Sequence, residues 1–158
     1  MNETNKEFSI YPIGYVKRQE DGFFLKMKKD FIPALKQLEH FSHALVFWWA
    51  DKNDNAEKRK LLQCTPPYGE NPPATGVFAT RAEYRPNPIA LTTAEIQEVN
   101  YEQGYVKVKN IDAFDGTPII DLKAYFPVCD RVKDAKIPSW IQGWPEWFPE
   151  EGMGIFGE

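Results

Sequence analysis

Cysteine is scarce in this 158-residue chain: Cys64 and Cys129 are the only two. They are too few for a disulfide framework and lack the close CxxC spacing of a zinc or redox site, so a reducing, cytoplasmic setting is expected. Histidine is as scarce. His40 and His43 stand three apart with no HExxH and no neighbouring cysteine, so no metal site is expected. Positive charge is not in excess either, with 19 Lys and Arg against 23 Asp and Glu and a formal net charge of -4. That balance excludes a bulk positive field for nucleic acid, and any RNA contact must be local. No apolar run approaches the length of a bilayer span and the polar start carries no leader pattern, so neither a membrane segment nor export is expected. GxGxxG after a strand, GxxxxGK(S/T) and GxSxG are all missing, so a nucleotide, if bound, is not held in the Rossmann way.

What is present points to one packed domain, since 42% of residues are hydrophobic and 27% charged. Aromatics reach 15%, and 13 prolines accompany 10 glycines, an interruption frequency that excludes long helices. Charge is unevenly placed. From Trp140 onward the chain carries Glu146, Glu150, Glu151 and Glu158 with no Lys or Arg, so residues 1–139 are electrically balanced.

Strand patterns dominate. Residues 8–18 suit an edge or bent strand, and in residues 23–29 Phe23, Leu25 and Met27 alternate with Phe24, Lys26 and Lys28, which makes a hairpin with the turn at Gly22. Asp30 is a candidate N-cap for one short amphipathic helix through Phe31, Ala34, Leu35 and Leu38. Residues 41–50, FSHALVFWWA, read as a central strand buried on both faces. Residues 51–74 form a long polar and proline-rich surface excursion, and residues 75–80, 89–99 and 104–111 supply further strands. The expected fold is mainly β: a small closed or nearly closed antiparallel barrel with one short helix. The barrel domain is expected over residues 8–130, followed by an irregular aromatic and proline-rich extension over 131–158. In that extension Trp140, Trp144, Trp147 and Phe148 are costly to leave in water and should cover the barrel or a partner subunit.

Two proline-stiffened segments could carry chemistry. In ATRAEYRPNPIALT, residues 79–92, Arg81 and Arg85 stand four apart and Asn87 lies between Pro86 and Pro88. Such a loop either holds its donors at fixed positions around a polar ligand, with little ordering entropy to lose, or is a rigid structural loop with solvated arginines. In NIDAFDGTPIIDLKAYFP, residues 110–127, Asp112, Asp115 and Asp121 accompany a Gly-Thr-Pro turn. The carboxylates either accept hydroxyl or amino groups of a ligand, or Asp115 and Gly116 simply make a tight turn.

Four blocks in one order, FSH at 41–43, GVFATR at 76–81, RPNPIALT at 85–92 and DGTPIIDLKAY at 115–125, resemble the TsaA-like (YaeB) family, which includes the TrmO-type tRNA methyltransferases. The resemblance covers roughly residues 10–130. It implies a β-barrel that binds S-adenosyl-L-methionine, works as a homodimer and methylates N6 of threonylcarbamoyladenosine at tRNA position 37. It also implies Arg81, Leu91, Asp115, Gly116, Thr117 and Pro118 as cofactor contacts, with Asp51 and Lys52 at an aligned pair that differs in residue type. The chain departs from the family pattern elsewhere. It offers Lys17, Arg18 and Gln19 where many members have Pro-x-Gln, Ala82 and Glu83 replace a small polar residue and a proline, Ala90 replaces a common glycine, and Ala124 a proline.

A sulfonium methyl is already activated, so the protein must position, desolvate and deprotonate rather than supply a nucleophile. Arg85, Asn87 and the carboxylates of Asp112 or Asp121 are expected to organise cofactor and acceptor, with His43, Tyr125 and Asp121 as alternative proton acceptors. Residues 14–60 hold 10 basic groups against 7 acidic ones. Lys26, Lys28, Lys29, Lys58, Arg59 and Lys60 either grip tRNA phosphates or form a solvated surface. Methylation of another small molecule or RNA, and a binding module without catalysis, are the competing expectations.

Overall fold

The computed structural model describes residues 6–141 and 143–150. Among the described residues there are eight strands: β1 (Gly14–Gln19), β2 (Gly22–Met27), β3 (His43–Trp49), β4 (Gln63–Cys64), β5 (Thr75–Gly76), β6 (Ile89–Asn100), β7 (Tyr105–Val108) and β8 (Pro118–Ala124). Six of them close into an antiparallel barrel in the order β1-β2-β7-β6-β3-β8, while β4 and β5 pair separately. The barrel is fully closed, as the strand patterning suggested.

The β1–β2 hairpin pairs Gly14 with Met27 and Gln19 with Gly22, so only Glu20 and Asp21 form the turn. Gly22 takes φ 141° there. The side chains that alternate inward fill the barrel: Val16, Leu25, Val46, Val106, Val108 and Ile119 are fully buried, and Trp48 nearly so. Trp48 Nε1 donates to Thr92 Oγ1 at 3.0 Å, so its polar edge is satisfied inside the core.

Several local expectations are corrected. β3 is not buried on both faces: Ala44, Val46 and Trp48 point in, while His43, Leu45, Phe47 and Trp49 are only partly covered, because a closed barrel has one interior face. The amphipathic helix is instead two 3-10 segments, Lys29–Leu35 and Leu38–His40, separated by Gln37 at φ 76°. Pro33 removes a backbone donor from the middle of the first, and Asp30 does not cap it. Leu35 is buried in the core and Phe31, Ile32 and Leu38 pack on it, so the segment stops one end of the barrel. Residues 8–13 precede β1 rather than extending it, and after β5 the chain turns into a 3-10 segment, Val77–Ala79.

The aromatic extension is divided. Trp140 stacks on Tyr68 with centroids 6.1 Å apart, Trp144 lies 5.0 Å from the same ring, and the Glu70 N–H donates to the Trp140 carbonyl. Trp147 and Phe148 remain 59% and 51% exposed, so within one chain only Trp140 and Trp144 of the four pack in this way.

Candidate functional site

The barrel end opposite the 3-10 stopper opens into a cavity of about 1090 Å³, at the top of the usual range for a small-molecule site. Five parts of the chain build it: the end of the first hairpin (Arg18, Phe23), the end of β3 with the turn after it (Phe47, Trp48, Asn53), residues 64–68, residues 78–91, and residues 110–114 after β7.

Residues 77–88 hold their shape through their own backbone. Thr80 is buried, donates from Oγ1 to the Val77 carbonyl at 2.8 Å and accepts from the Ala82 N–H at 3.1 Å. Arg85 folds back and donates to the carbonyls of Ala82 at 3.1 Å and Thr80 at 3.4 Å. Pro88 is fully buried and its carbonyl accepts from the Ala50 N–H, which pins the loop to the end of β3. Arg59, in the short helix α1 (Ala56–Arg59), donates to the Pro86 carbonyl at 3.2 Å. Arg81 differs from these: it lines the cavity, is exposed, and makes no hydrogen bond or ion pair among the described residues. Asn87 and Leu91 line the cavity beside it.

The other wall is held by Arg18. Its guanidinium donates to the carbonyls of Ala113 at 2.9 Å and Ile111 at 3.0 Å, and it lies over the Phe23 ring with 5.0 Å to the centroid. Ile111 and Ala113 turn into the core, so Asp112 between them faces the cavity. Loss of water on its protein-facing side raises the Asp112 pKa, and Arg18 opposes the rise. Glu83 is the second carboxylate on the wall. Burial, foremost, pushes its pKa up, and the Asp112 and Asp51 charges add to that, while a hydrogen bond from Asn53 and the charge of Lys58 pull it down.

The cavity therefore gathers Arg81, Arg85, Asn87, Leu91 and Asp112 from among the expected residues. Asp115, Gly116, Thr117 and Pro118 do not line it. They make a tight turn in which the Thr117 N–H donates to the Phe114 carbonyl and Gly116 takes φ 81°. The Asp115 carboxylate accepts the Arg18 backbone N–H at 2.9 Å. Lys52 reaches the wall indirectly, with Nζ 3.8 Å from the centroid of the cavity-lining Phe114 ring, and Asp51 stands beside it in a 3-10 turn.

The three expected proton acceptors lie elsewhere. His43 begins β3 at the stoppered end, about 13 Å of strand away from Phe47 on the cavity wall at ~3.3 Å per residue. Its Nδ1 is hydrogen-bonded to Ser42 Oγ, and its ring is 6.2 Å from that of Tyr125. Asp121 pairs with Lys123 at 3.0 Å on the outside of β8. His43 and Tyr125 share segments with cavity residues, but strand direction carries them to the other end, whereas Asp121 is in register with Phe47 and is turned to the outer face, where Lys123 pairs with it.

Sequence reasoning missed Arg18, Asn53 and Glu83 as wall residues, and with them the aromatic lining of Phe23, Tyr68, Tyr84 and Phe114. Tyr68 comes from the excursion between β4 and β5, where no periodicity marks which residue turns inward. Arg18 carried a signal that was available: a long cation at the end of a hairpin, near the aromatic Phe23.

A closed six-stranded barrel with a polar, aromatic-walled cavity at one rim is the frame in which comparison with known proteins is informative. Residues 6–131 match the family described as the tRNA-methyltransferase O N-terminal domain. The chain belongs to that family. It is 38% identical over 126 residues to a probable S-adenosyl-L-methionine-binding protein of Methanocaldococcus jannaschii, covering 80% of this chain and 98% of that one. It is 31% identical over 134 residues to a tRNA (adenine(37)-N6)-methyltransferase of Escherichia coli, covering 84% of this chain and 56% of that one. A crystal structure of TrmO from Pseudomonas aeruginosa superposes with a TM-score of 0.66 at 27% identity, covering 87% of this chain and 63% of the other. The chain thus spans nearly all of the archaeal relative and less than two thirds of either methyltransferase.

Proposed function

We propose that this protein is an S-adenosyl-L-methionine-dependent tRNA methyltransferase that modifies N6 of adenosine at position 37, with threonylcarbamoyladenosine as the acceptor. One observation supports the reading above others: the cavity lies where residues 79–91 and 110–114 meet, and residues 79–91 hold parts of two of the four blocks that carry the family resemblance. The chemistry of the wall fits the donor. Aromatic faces and two carboxylates in partly dehydrated surroundings suit a sulfonium and an ammonium group, and Arg81 suits a carboxylate. When bound, the donor supplies a methyl group on positively charged sulfur.

The protein's own work is then placement and exclusion of water. Arg85 keeps the 80–88 loop in one shape, and Arg18 presents Asp112, so little ordering is left to the moment of binding. Homodimer formation and action in the cytoplasm, where tRNA is modified, belong to the same reading. Phe78, 80% exposed on the cavity rim, and Leu62, 60% exposed and hydrogen-bonded to Val77 through its carbonyl, are apolar surface that a second subunit would cover.

A second reading, a donor-binding module without transfer, is favoured by the name of the archaeal relative matched over almost its whole length. Labelled-methyl transfer separates the two. Transfer to tRNA that carries threonylcarbamoyladenosine and not to tRNA lacking it supports the enzyme reading; tight donor binding with no transfer to any tRNA favours the module, and transfer to another extract component moves the acceptor elsewhere.

A further inference from the structure

We propose that Glu83 is the group that accepts the proton released at the acceptor nitrogen, with Asn53 and Lys58 as the positioning residues that aim it. The inference rests on the methyltransferase reading and goes beyond it, because that reading identifies no base.

Methylation of an N–H nitrogen releases one proton. The acceptor nitrogen forms its bond to the methyl carbon, the bond from that carbon to sulfur breaks with its electron pair left on sulfur, and the proton passes from nitrogen to Oε1 of Glu83. The negative carboxylate and the positive sulfonium become a neutral acid and a neutral thioether, so charge balances within the cavity. Glu83 and Asp112 are the only carboxylates among the described residues that line that cavity. The tyrosines there, Tyr68 and Tyr84, have pKa values raised further above their ordinary value, by burial for Tyr68 and by the Cys64 thiol ahead of burial for Tyr84, which leaves them protonated and unable to serve.

Geometry separates the two carboxylates. Asp112 is open to the cavity and held beside the cationic Arg18, which opposes its taking a proton. Glu83 is half-buried and has a fixed orientation. Lys58 Nζ donates to Asn53 Oδ1 at 2.7 Å, and an ammonium can only donate, so the Asn53 amide must turn its Nδ2 toward Glu83. Asn53 Nδ2 in turn donates to Glu83 Oε2. With Oε2 engaged as an acceptor, Oε1 is the oxygen left for a proton arriving from the cavity. The groups facing Glu83 are Asn53, Lys58, Asp112 and Asp51. The two aspartates make it a better proton acceptor, and burial has the same effect, so it stands nearer neutrality than an ordinary glutamate.

The test is single-turnover methyl transfer to threonylcarbamoyl-bearing tRNA across pH, with donor affinity measured by calorimetry, for wild type, Glu83→Gln, Glu83→Asp and Asn53→Leu. At saturating donor, Glu83→Gln is expected to lose about a hundredfold or more of the chemical rate together with the acidic limb of the profile. Glu83→Asp keeps the limb at reduced rate, and Asn53→Leu moves it to higher pH. Independently of activity, the Glu83 carboxyl carbon in the ligand-free protein should titrate above the ordinary glutamate range by NMR and move higher in Asn53→Leu. Wild-type rate with an intact acidic limb in Glu83→Gln overturns the inference alone. Absence of transfer by the wild type to any tRNA overturns the methyltransferase reading along with it.

Discussion

Arg18 and Asp115 are 97 residues apart in the chain, and the backbone N–H of Arg18 donates to Asp115 Oδ1 at 2.9 Å. The same arginine grips the carbonyls of Ile111 and Ala113 with its side chain. Backbone and side chain of one residue thus fix both ends of the 111–115 segment, including the cavity-facing Asp112. Asp115→Ala is expected to lower stability by about 1 kcal/mol, the typical net worth of one hydrogen bond at an exposed site, and to weaken donor binding although Asp115 is not on the cavity wall. Urea unfolding and calorimetric titration of the same variant check the two effects; unchanged donor affinity would show that Asp112 keeps its place without this bond.

The two arginines of the ATRAEYRPNP segment should behave differently. Arg85 is engaged with two carbonyls of its own loop, so Arg85→Ala leaves partly buried acceptors short of donors and is expected to cost about 1–2 kcal/mol. Arg81 has no such partners among the described residues, so Arg81→Ala should leave stability within about 0.5 kcal/mol. It should nonetheless weaken donor binding by roughly tenfold, as expected for losing one charge-assisted hydrogen bond. Thermal unfolding with and without donor reads both quantities. A large stability loss in Arg81→Ala would mean that this side chain also serves the fold.

These two arginines mark how far the sequence could be read. The barrel was legible because Leu25, Val106 and Val108 sit in period-two patterns, and a closed sheet needs one buried face per strand; the continuous apolar run around Val46 hid the same alternation. Residues 79–92 were legible as a rigid loop because Pro86 and Pro88 restrict the backbone locally. Which arginine turns inward was not legible, since that depends on carbonyls brought near by the fold. The same limit applies to His43 and Tyr125. The His43 segment was read as a strand, while the segment leading to Tyr125 was read as a connecting loop and is in fact β8; the end of the barrel each reaches is set by topology, and in this topology they adjoin the stopper rather than the cavity. Glu83 stood out in sequence only as a departure from the family pattern; its neighbours Asn53 and Lys58 lie in an excursion with no periodic signal.

Glu83 and Asp112 both have pKa values raised in the folded protein, by loss of water first, so folding is opposed by their charge at neutral pH. As pH falls through those raised values the folded state takes up protons while the unfolded chain, with ordinary carboxyls near ~4, does not. Stability of the ligand-free protein is therefore expected to gain from these two groups between neutrality and about pH 4.5. Below that, Asp54 acts in the opposite sense, because its hydrogen bond with Arg59 holds its pKa down and that contribution is lost as it protonates. Donor affinity should move against stability over the first window, since a cationic ligand favours the ionised carboxylates. Urea unfolding at pH 7 and pH 5 tests the sign, and the double variant Glu83→Gln with Asp112→Asn should flatten the slope. An equal slope in wild type and double variant would refute the assignment.

Salt dependence of tRNA binding tests which basic side chains meet phosphate. Lys58 and Arg59 are committed within the protein, to Asn53 in the first case and to Asp54 and the Pro86 carbonyl in the second. Lys26 donates to the Gln103 carbonyl. Lys29, by contrast, is exposed and makes no hydrogen bond or ion pair among the described residues, and Lys28 beside it touches only the Tyr15 ring, 5.9 Å from its centroid. Each lysine that neutralises a phosphate contributes nearly one unit to the slope of log affinity against log salt. Lys28→Ala and Lys29→Ala are accordingly expected to reduce the slope by about one each while leaving donor binding alone. Lys58→Met should do the reverse, with little change in slope and a shift in the pH dependence of methyl transfer through Asn53 and Glu83. If the slope falls for Lys58→Met and stays constant for the other two, phosphate is gripped on the cavity side of the barrel and the hairpin face is solvent.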